Sequence, residues 1–263
     1  MKTILLHIRD DAAMEARFQA ALALARQQGG HLTCVQTLPS LLYAADPATS
    51  PGAYELLFQS IEEPARVQRA ALEERLNGEG LAWDWRVETG GAAAILLQEA
   101  QLSDLMVIGS GDEALDMSVA GSLIMHAQVP LLAVSGEVER FDPTGPIMIA
   151  WNGAPEAANA VRHGLPLLRA AASVHIICVA EQSPGLPASN LAAYLSRHGI
   201  HAEVQERLAE PSIEEVLQAA AGELGVSCIV MGGYGHSRMR EFVFGGVTRA
   251  MLRGCPVPLL LSH

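Results

Sequence analysis

What most constrains this chain of 263 residues is that its second half repeats the first. Ile4-Leu5-Leu6-His7-Ile8-Arg9 is answered by Ile147-Met148-Ile149-Ala150-Trp151-Asn152, and each apolar run opens a stretch rich in Ala and Leu. Leu32 to Val35 is answered by Ile176 to Val179, and Asp104 to Gly109 by Cys228 to Gly232. Each half closes on Val-Pro-Leu-Leu, at Val129 to Leu132 and at Val257 to Leu260. Four matches in unchanged order describe two copies of one folding unit. The boundary falls in Arg140 to Pro146, a Pro/Gly segment suited to a linker, which divides the chain into 1–140 and 141–263.

Within each half, apolar strand runs alternate with helical patterns. In the second half, strands are predicted at 147–151, 174–179, 202–207, 228–231 and 257–261. Pro155 suits the first turn of a helix running to about Ala172, Ser189-Asn190 opens another that ends near Gly199, and Ser212-x-x-Glu215 reads as a capping box. The third strand alternates small or apolar residues with charged ones, as an edge strand does. Strands alternating with helices mean an α/β fold with a parallel sheet and right-handed crossovers, once per half. In the first half, Pro39 to Ser60 carries three prolines by Pro51 and is expected to be a flap or docking loop.

Charge narrows the function. Seventeen Lys and Arg against 29 Asp and Glu leave a net charge of -12, the reverse of the basic footprint that nucleic acid requires. No stretch reaches the roughly 18 apolar residues of a membrane span, so neither nucleic acid nor membrane is an expected partner. The four cysteines, Cys34, Cys178, Cys228 and Cys255, show no metal spacing and suit a reducing cytoplasm as free thiols. The nine histidines are dispersed, and no metal site is expected.

The informative segment lies between a buried strand and a helix: Met231-Gly232-Gly233-Tyr234-Gly235-His236, a run through Phe244, then Gly245-Gly246-Val247-Thr248. Its skeleton is Gly-x2-Gly-x9-Gly-Gly-Val-Thr. Glycines admit an oxyanion to backbone N–H groups, and a following helix offers unpaired donors and the positive end of its dipole. His236, Arg238 and Arg240 stand in the intervening loop and can add charge. Glycines that merely form a turn are the plainer alternative.

This segment resembles the nucleotide-binding loop of the universal stress protein family, within the adenine nucleotide alpha-hydrolase-like superfamily. The whole chain resembles a tandem member of it. The resemblance implies two doubly wound parallel five-stranded sheets of order 3-2-1-4-5, helices on both faces, and a nucleotide at the carboxyl ends of strands 1 and 4. It implies ATP, with or without Mg²⁺, or a related adenine nucleotide. Gly232, Gly235, Gly245, Gly246, Val247 and Thr248 would hold phosphates and ribose, with His236 and Arg238 nearby, while Trp151, Asn152, Val179 and Met231 would surround the adenine. Two positions depart from the family: Gly246 replaces a Ser or Thr hydroxyl, and Asn152 replaces an Asp. The family also pairs domains through fifth strands, so Val129 to Val134 and Val257 to Leu261 would join within one chain, with a homodimer of whole chains as a further level.

The first half departs further. Gly109, Gly111, Gly121 and Ser122 remain, but Asp112, Glu113 and Asp116 lie between Gly111 and Gly121 with no Lys or Arg, and Arg9 replaces the acid that would read adenine. Residues 1–140 hold 9 basic and 19 acidic residues, a net of -10, whereas 141–263 hold 8 and 10, a net of -2. Polyphosphate is repelled by like charge, so the nucleotide is expected in the second half, with the first a degenerate partner. No Walker lysine and no Asp pair for Mg²⁺ stand beside the glycines, which points to a regulatory role with at most very slow hydrolysis and no catalytic residue. The alternatives are a protein-interaction scaffold that has lost the nucleotide, a slow ATP hydrolase, and a carrier of another small molecule between the domains.

Overall fold

A computed structural model of the protein describes residues 1–40, 51–111, 114–180, 185–234 and 246–263, with backbone alone for 51–58, 114–116 and 180. The first half runs β1 (Thr3–Ile8), α1 (Met14–Gln28), β2 (His31–Leu38), α2 (Pro51–Asn77), β3 (Ala82–Thr89), α3 (Ala92–Glu99), β4 (Leu105–Ser110), α4 (Ala114–His126) and β5 (Leu131–Ser135). The second runs β6 (Ile147–Ala150), α5 (Pro155–Ala170), β7 (Val174–Ala180), α6 (Ala188–Arg197), β8 (Ala202–Leu208), α7 (Ile213–Glu223), β9 (Cys228–Gly232), α8 (Gly246–Gly254) and β10 (Leu259–Ser262).

Each half has the five strands and the 3-2-1-4-5 order implied above, but the two sheets are one. The order is β3-β2-β1-β4-β5-β10-β9-β6-β7-β8, parallel within each half and antiparallel only where β5 meets β10. There Leu259 pairs with Ala133, Leu260 with Leu132 and Leu261 with Leu131. The continuous apolar runs β5, β9 and β10 fall at the centre of the sheet, buried on both faces, while the alternating β8 lies at an outer edge. One apolar core lies under α1, α2, α5 and α6. The other lies under α3, α4, α7 and α8. Both contain residues of both halves, so each crosses the seam without a break.

Local chemistry sets the helix ends. Pro155 begins α5, and Gly29 closes α1 in the left-handed region (φ 54°), its N–H donating to Ala25 O and Arg26 O. The Ser212 hydroxyl caps α7 by accepting from Glu215 N at 3.3 Å. Trp83 and Trp85 pack against one core, with the Arg69 guanidinium of α2 5.7 Å from the Trp85 ring. One expectation fails: residues 51–60 form the first turns of the 27-residue α2, not a loop, with Pro51 as its first residue. Residues 41–50 lie outside the described residues. Among the described residues no helix is long and apolar enough to cross a membrane, and no group of three His, Cys, Asp or Glu could hold a metal ion.

Candidate functional site

In the second half the strand order reverses at β6 and β9, whose neighbours β7 and β10 carry the chain away on opposite sides. Ligands of doubly wound sheets sit outside the carboxyl ends at such a point. Two helices open on that side: α5 directly after β6, and α8, which must start there to return the chain to the parallel strand β10. The first N–H groups of both have no partner within their own helix, and both dipoles present their positive ends.

The floor of this crevice is tight. Gly232 ends β9 so close to the first turn of α5 that a Cβ would fall 2.6 Å from Ala157 N and 3.0 Å from the Cβ of the buried Glu156. Gly233 N donates to Ser262 O at 2.8 Å, and its carbonyl lies 3.0 Å from His263 Nδ1. Asn159 and His163 of α5 hold the same two residues, Asn159 Nδ2 donating to His263 O at 3.0 Å and His163 Nδ1 lying 2.8 Å from Ser262 Oγ. Sequence reasoning missed this clamp, because the four residues and Gly233 have no common spacing. Tyr234, with φ of 49°, is buried, and burial pushes its hydroxyl up to about 12 against the opposing charge of Arg249. Gly246 begins the described part of α8, and among the described residues nothing lies within 4 Å of where a Cβ would stand.

The residues assigned to the base divide between the two faces of the sheet. Met231 and Val179 pack in the core under α7 and α8, together with Val247. Trp151 is buried in the opposite core, its indole Nε1 donating to Leu186 O at 2.9 Å. Asn152 is exposed between them, its Oδ1 accepting from Ala154 N at 3.1 Å. Gly153 (φ 73°) packs against Gly185 so closely that a Cβ on either would strike the other's backbone, and Leu186 N donates to Gly153 O at 2.9 Å. Of the residues expected to hold phosphate, Gly232 ends β9, and Gly246, Val247 and Thr248 are the first described residues of α8, Thr248 buried. Gly235, His236, Arg238 and Gly245 lie outside the described residues.

The first half carries its glycines differently. α4 begins at Ala114, so Gly121 and Ser122 fall in its interior, where their N–H groups face the preceding turn of their own helix. In the second half Gly246 is the first described residue of α8, and Gly245 lies outside the described residues.

The sequence profile of the universal stress protein family matches residues 1–135 and 144–263. The chain belongs to that family. Among solved structures it is similar to a universal stress protein from Archaeoglobus fulgidus, at 15% identity and a TM-score of 0.75, covering 98% of this chain and 97% of that one. It is also similar to a putative universal stress protein from Pseudomonas aeruginosa UCBPP-PA14, at 14% identity and a TM-score of 0.61, covering 100% and 93%. A protein of unknown function from Pseudomonas aeruginosa PAO1 gives a TM-score of 0.62 at 14% identity, covering 100% and 92%. At such identities these similarities establish the fold. No curated protein matches the sequence.

Proposed function

We propose that the protein is a regulatory nucleotide-binding protein that holds ATP or a related adenine nucleotide in its carboxy-terminal half. The observation that supports this most is the crevice where α5 and α8 both present their first turns, with no described residue within 4 Å of where a Cβ on Gly246 would stand. Backbone amides there suit a polyanion without requiring a lysine. In this reading Gly246, Val247 and Thr248 hold phosphate through their N–H groups. Gly235, Gly245, His236 and Arg238 complete the cradle on the strength of the sequence pattern, and Mg²⁺ accompanies the phosphates. Adenine lies over Val179 and Met231, with Asn152 at its edge. The amino-terminal half, whose glycine amides are spent inside α4, is the degenerate partner. A scaffold without nucleotide is the second reading, favoured by the Asn152 oxygen being taken up by Ala154 N.

Thermal unfolding with and without Mg-ATP tests the first reading. Binding to the native state raises the midpoint by mass action, about 2.7 kcal/mol at a hundredfold excess over Kd. Gly246→Val should abolish the shift while leaving the unliganded midpoint within about 1 °C or 2 °C, since the new side chain meets none of the described residues and blocks the approach to the amides. An unchanged wild-type midpoint, with no adenine absorbance released on denaturation, would leave the scaffold.

A further inference from the structure

The first half has the same crevice, at the carboxyl ends of β1 and β4, and its own helix fills it. Arg17 of α1 is 0% exposed. Its Nε donates to His7 O at 2.9 Å, its Nη2 to Arg9 O at 2.5 Å, and its Nη1 to Asp11 Oδ1 at 2.5 Å. Met14 Sδ lies 3.3 Å from Nη2. The guanidinium also rests on Gly109 at the end of β4, where any Cβ would collide with Nη1. It thus lies across both strands of the crossover. What remains beside it is a cavity of about 10 Å³ against His7, Arg9, Asp11 and Gly109, roughly the room of one water molecule.

Strand register identifies the corresponding position in the second half. Ile4 pairs with Leu105, and Ile147 pairs with Cys228. The same count along the chain sets Arg17 against Ala160, which is buried and carries no polar side-chain atom. One half therefore places a methyl group where the other places a guanidinium.

We infer that the amino-terminal crevice is a cation-accepting site, opposite in polarity to an amide-lined anion site, and that Arg17 is its permanent occupant. The groups aimed at the guanidinium are acceptors: two carbonyl oxygens and a carboxylate. A planar fork of five donors satisfies such a set, and a spherical ammonium does not. An anion taking the place of the guanidinium would face Asp11 and two carbonyl oxygens, with Arg9 at the wall of the remaining cavity as the opposing charge, so the acceptors there disfavour phosphate independently of any nucleotide in the second half. Removing the arginine would leave a nearly buried carboxylate without its partner and open a guanidinium-shaped space.

The experiment is chemical rescue. Arg17→Ala should lower the thermal midpoint by about 6–12 °C, the loss appropriate to breaking a buried charge network in a protein of this size. Millimolar methylguanidinium chloride should restore it along a saturating curve, with wild type unmoved and tetramethylammonium at equal ionic strength without effect. A loss that methylguanidinium does not reverse, or one that adenine nucleotide reverses instead, overturns the inference. Should Arg17→Ala not fold, the wild-type protein answers by NMR. One arginine Nε proton should exchange with solvent about tenfold or more slowly than the exposed arginines, and that signal should vanish in Arg17→Lys; its absence from wild type overturns the inference equally.

Discussion

His7 shows what burial does to a single titrating side chain. It is 5% exposed in β1, its Nε2 lies 3.0 Å from Thr37 Oγ1, and its neighbours Arg17 and Arg9 are cationic. Burial first, and then those two charges, push its pKa down to about 3 from the ordinary 6.5. The unfolded chain therefore binds a proton between these values that the folded chain refuses. Stability is lost as pH falls from about 6.5 to about 3, by an amount on the order of 4 kcal/mol over the whole window. His7→Gln should flatten that part of the slope, which urea midpoints across the range would reveal; an unchanged slope would refute the assignment. The cysteines follow the same logic. Burial raises the thiols of Cys34 and Cys228 to about 12 and of Cys255 to about 11, so they should resist a thiol reagent in the native state. The half-exposed Cys178 should react first, and labelling followed by mass spectrometry would show it. That Cys34 and Cys178 act as small hydrophobic groups was legible from their place in apolar strands, whereas Cys255 lies between α8 and β10. Arg17 also left a mark in the sequence, a cation on the Met14, Phe18, Ala21 stripe of α1. What it bonds to was not legible, since three carbonyl and carboxylate partners that lie within ten residues have no distinctive spacing.

Among the elements, helix ends decide most. The starts of α5 and α7 were readable because each signal is local, a proline in the first turn of α5 and a hydroxyl accepting from an amide three residues on in α7. Ser212→Ala should cost about 1 kcal/mol, a fall of roughly 2–4 °C in the midpoint. The start of α4 was not readable in this way. Gly121-Ser122 looks like the remnant of a loop, and only the conformation of the preceding seven residues makes it helix interior. For the same reason the start of α2 at Pro51 could not be read from the prolines of that segment alone. A contact between elements from different halves is beyond any local signal. Gly233, at the tip of β9, approaches α4 so closely that a Cβ would collide with Ile124 Cγ2. Gly233→Ala should destabilise by about 1–3 kcal/mol through overpacking, and Ile124→Ala in the same chain should recover part of that loss. Additive losses in the double variant would show that the two side chains do not meet.

At the scale of the whole molecule, the doubled architecture was the most legible feature, because order and spacing of four strand phrases survive where residue identity does not. The joining of the two sheets followed from the family resemblance, and the register Leu259 to Ala133 came only from the structure. That register has a measurable requirement. β10 alone would present an unpaired edge of three leucines and Ser262. Residues 144–263 produced by themselves should therefore self-associate, and sedimentation should find dimers or larger species whose amount falls when Leu260 is changed to Lys. The outer edges differ: β3 and β8 end the sheet with Arg86, Glu88, Glu203 and Glu206 among their residues, a charged border unsuited to further strands.

The antiparallel seam between β5 and β10 carries one more consequence. When two identical subunits meet about an axis, any change in the gene lands on both sides of it, and a cavity filled in one is filled in both. A covalent tether between the halves removes that obligation. Each side can be altered while its twin is left alone, which is how a guanidinium can stop one mouth of the sheet while the corresponding place in the other holds only a methyl group.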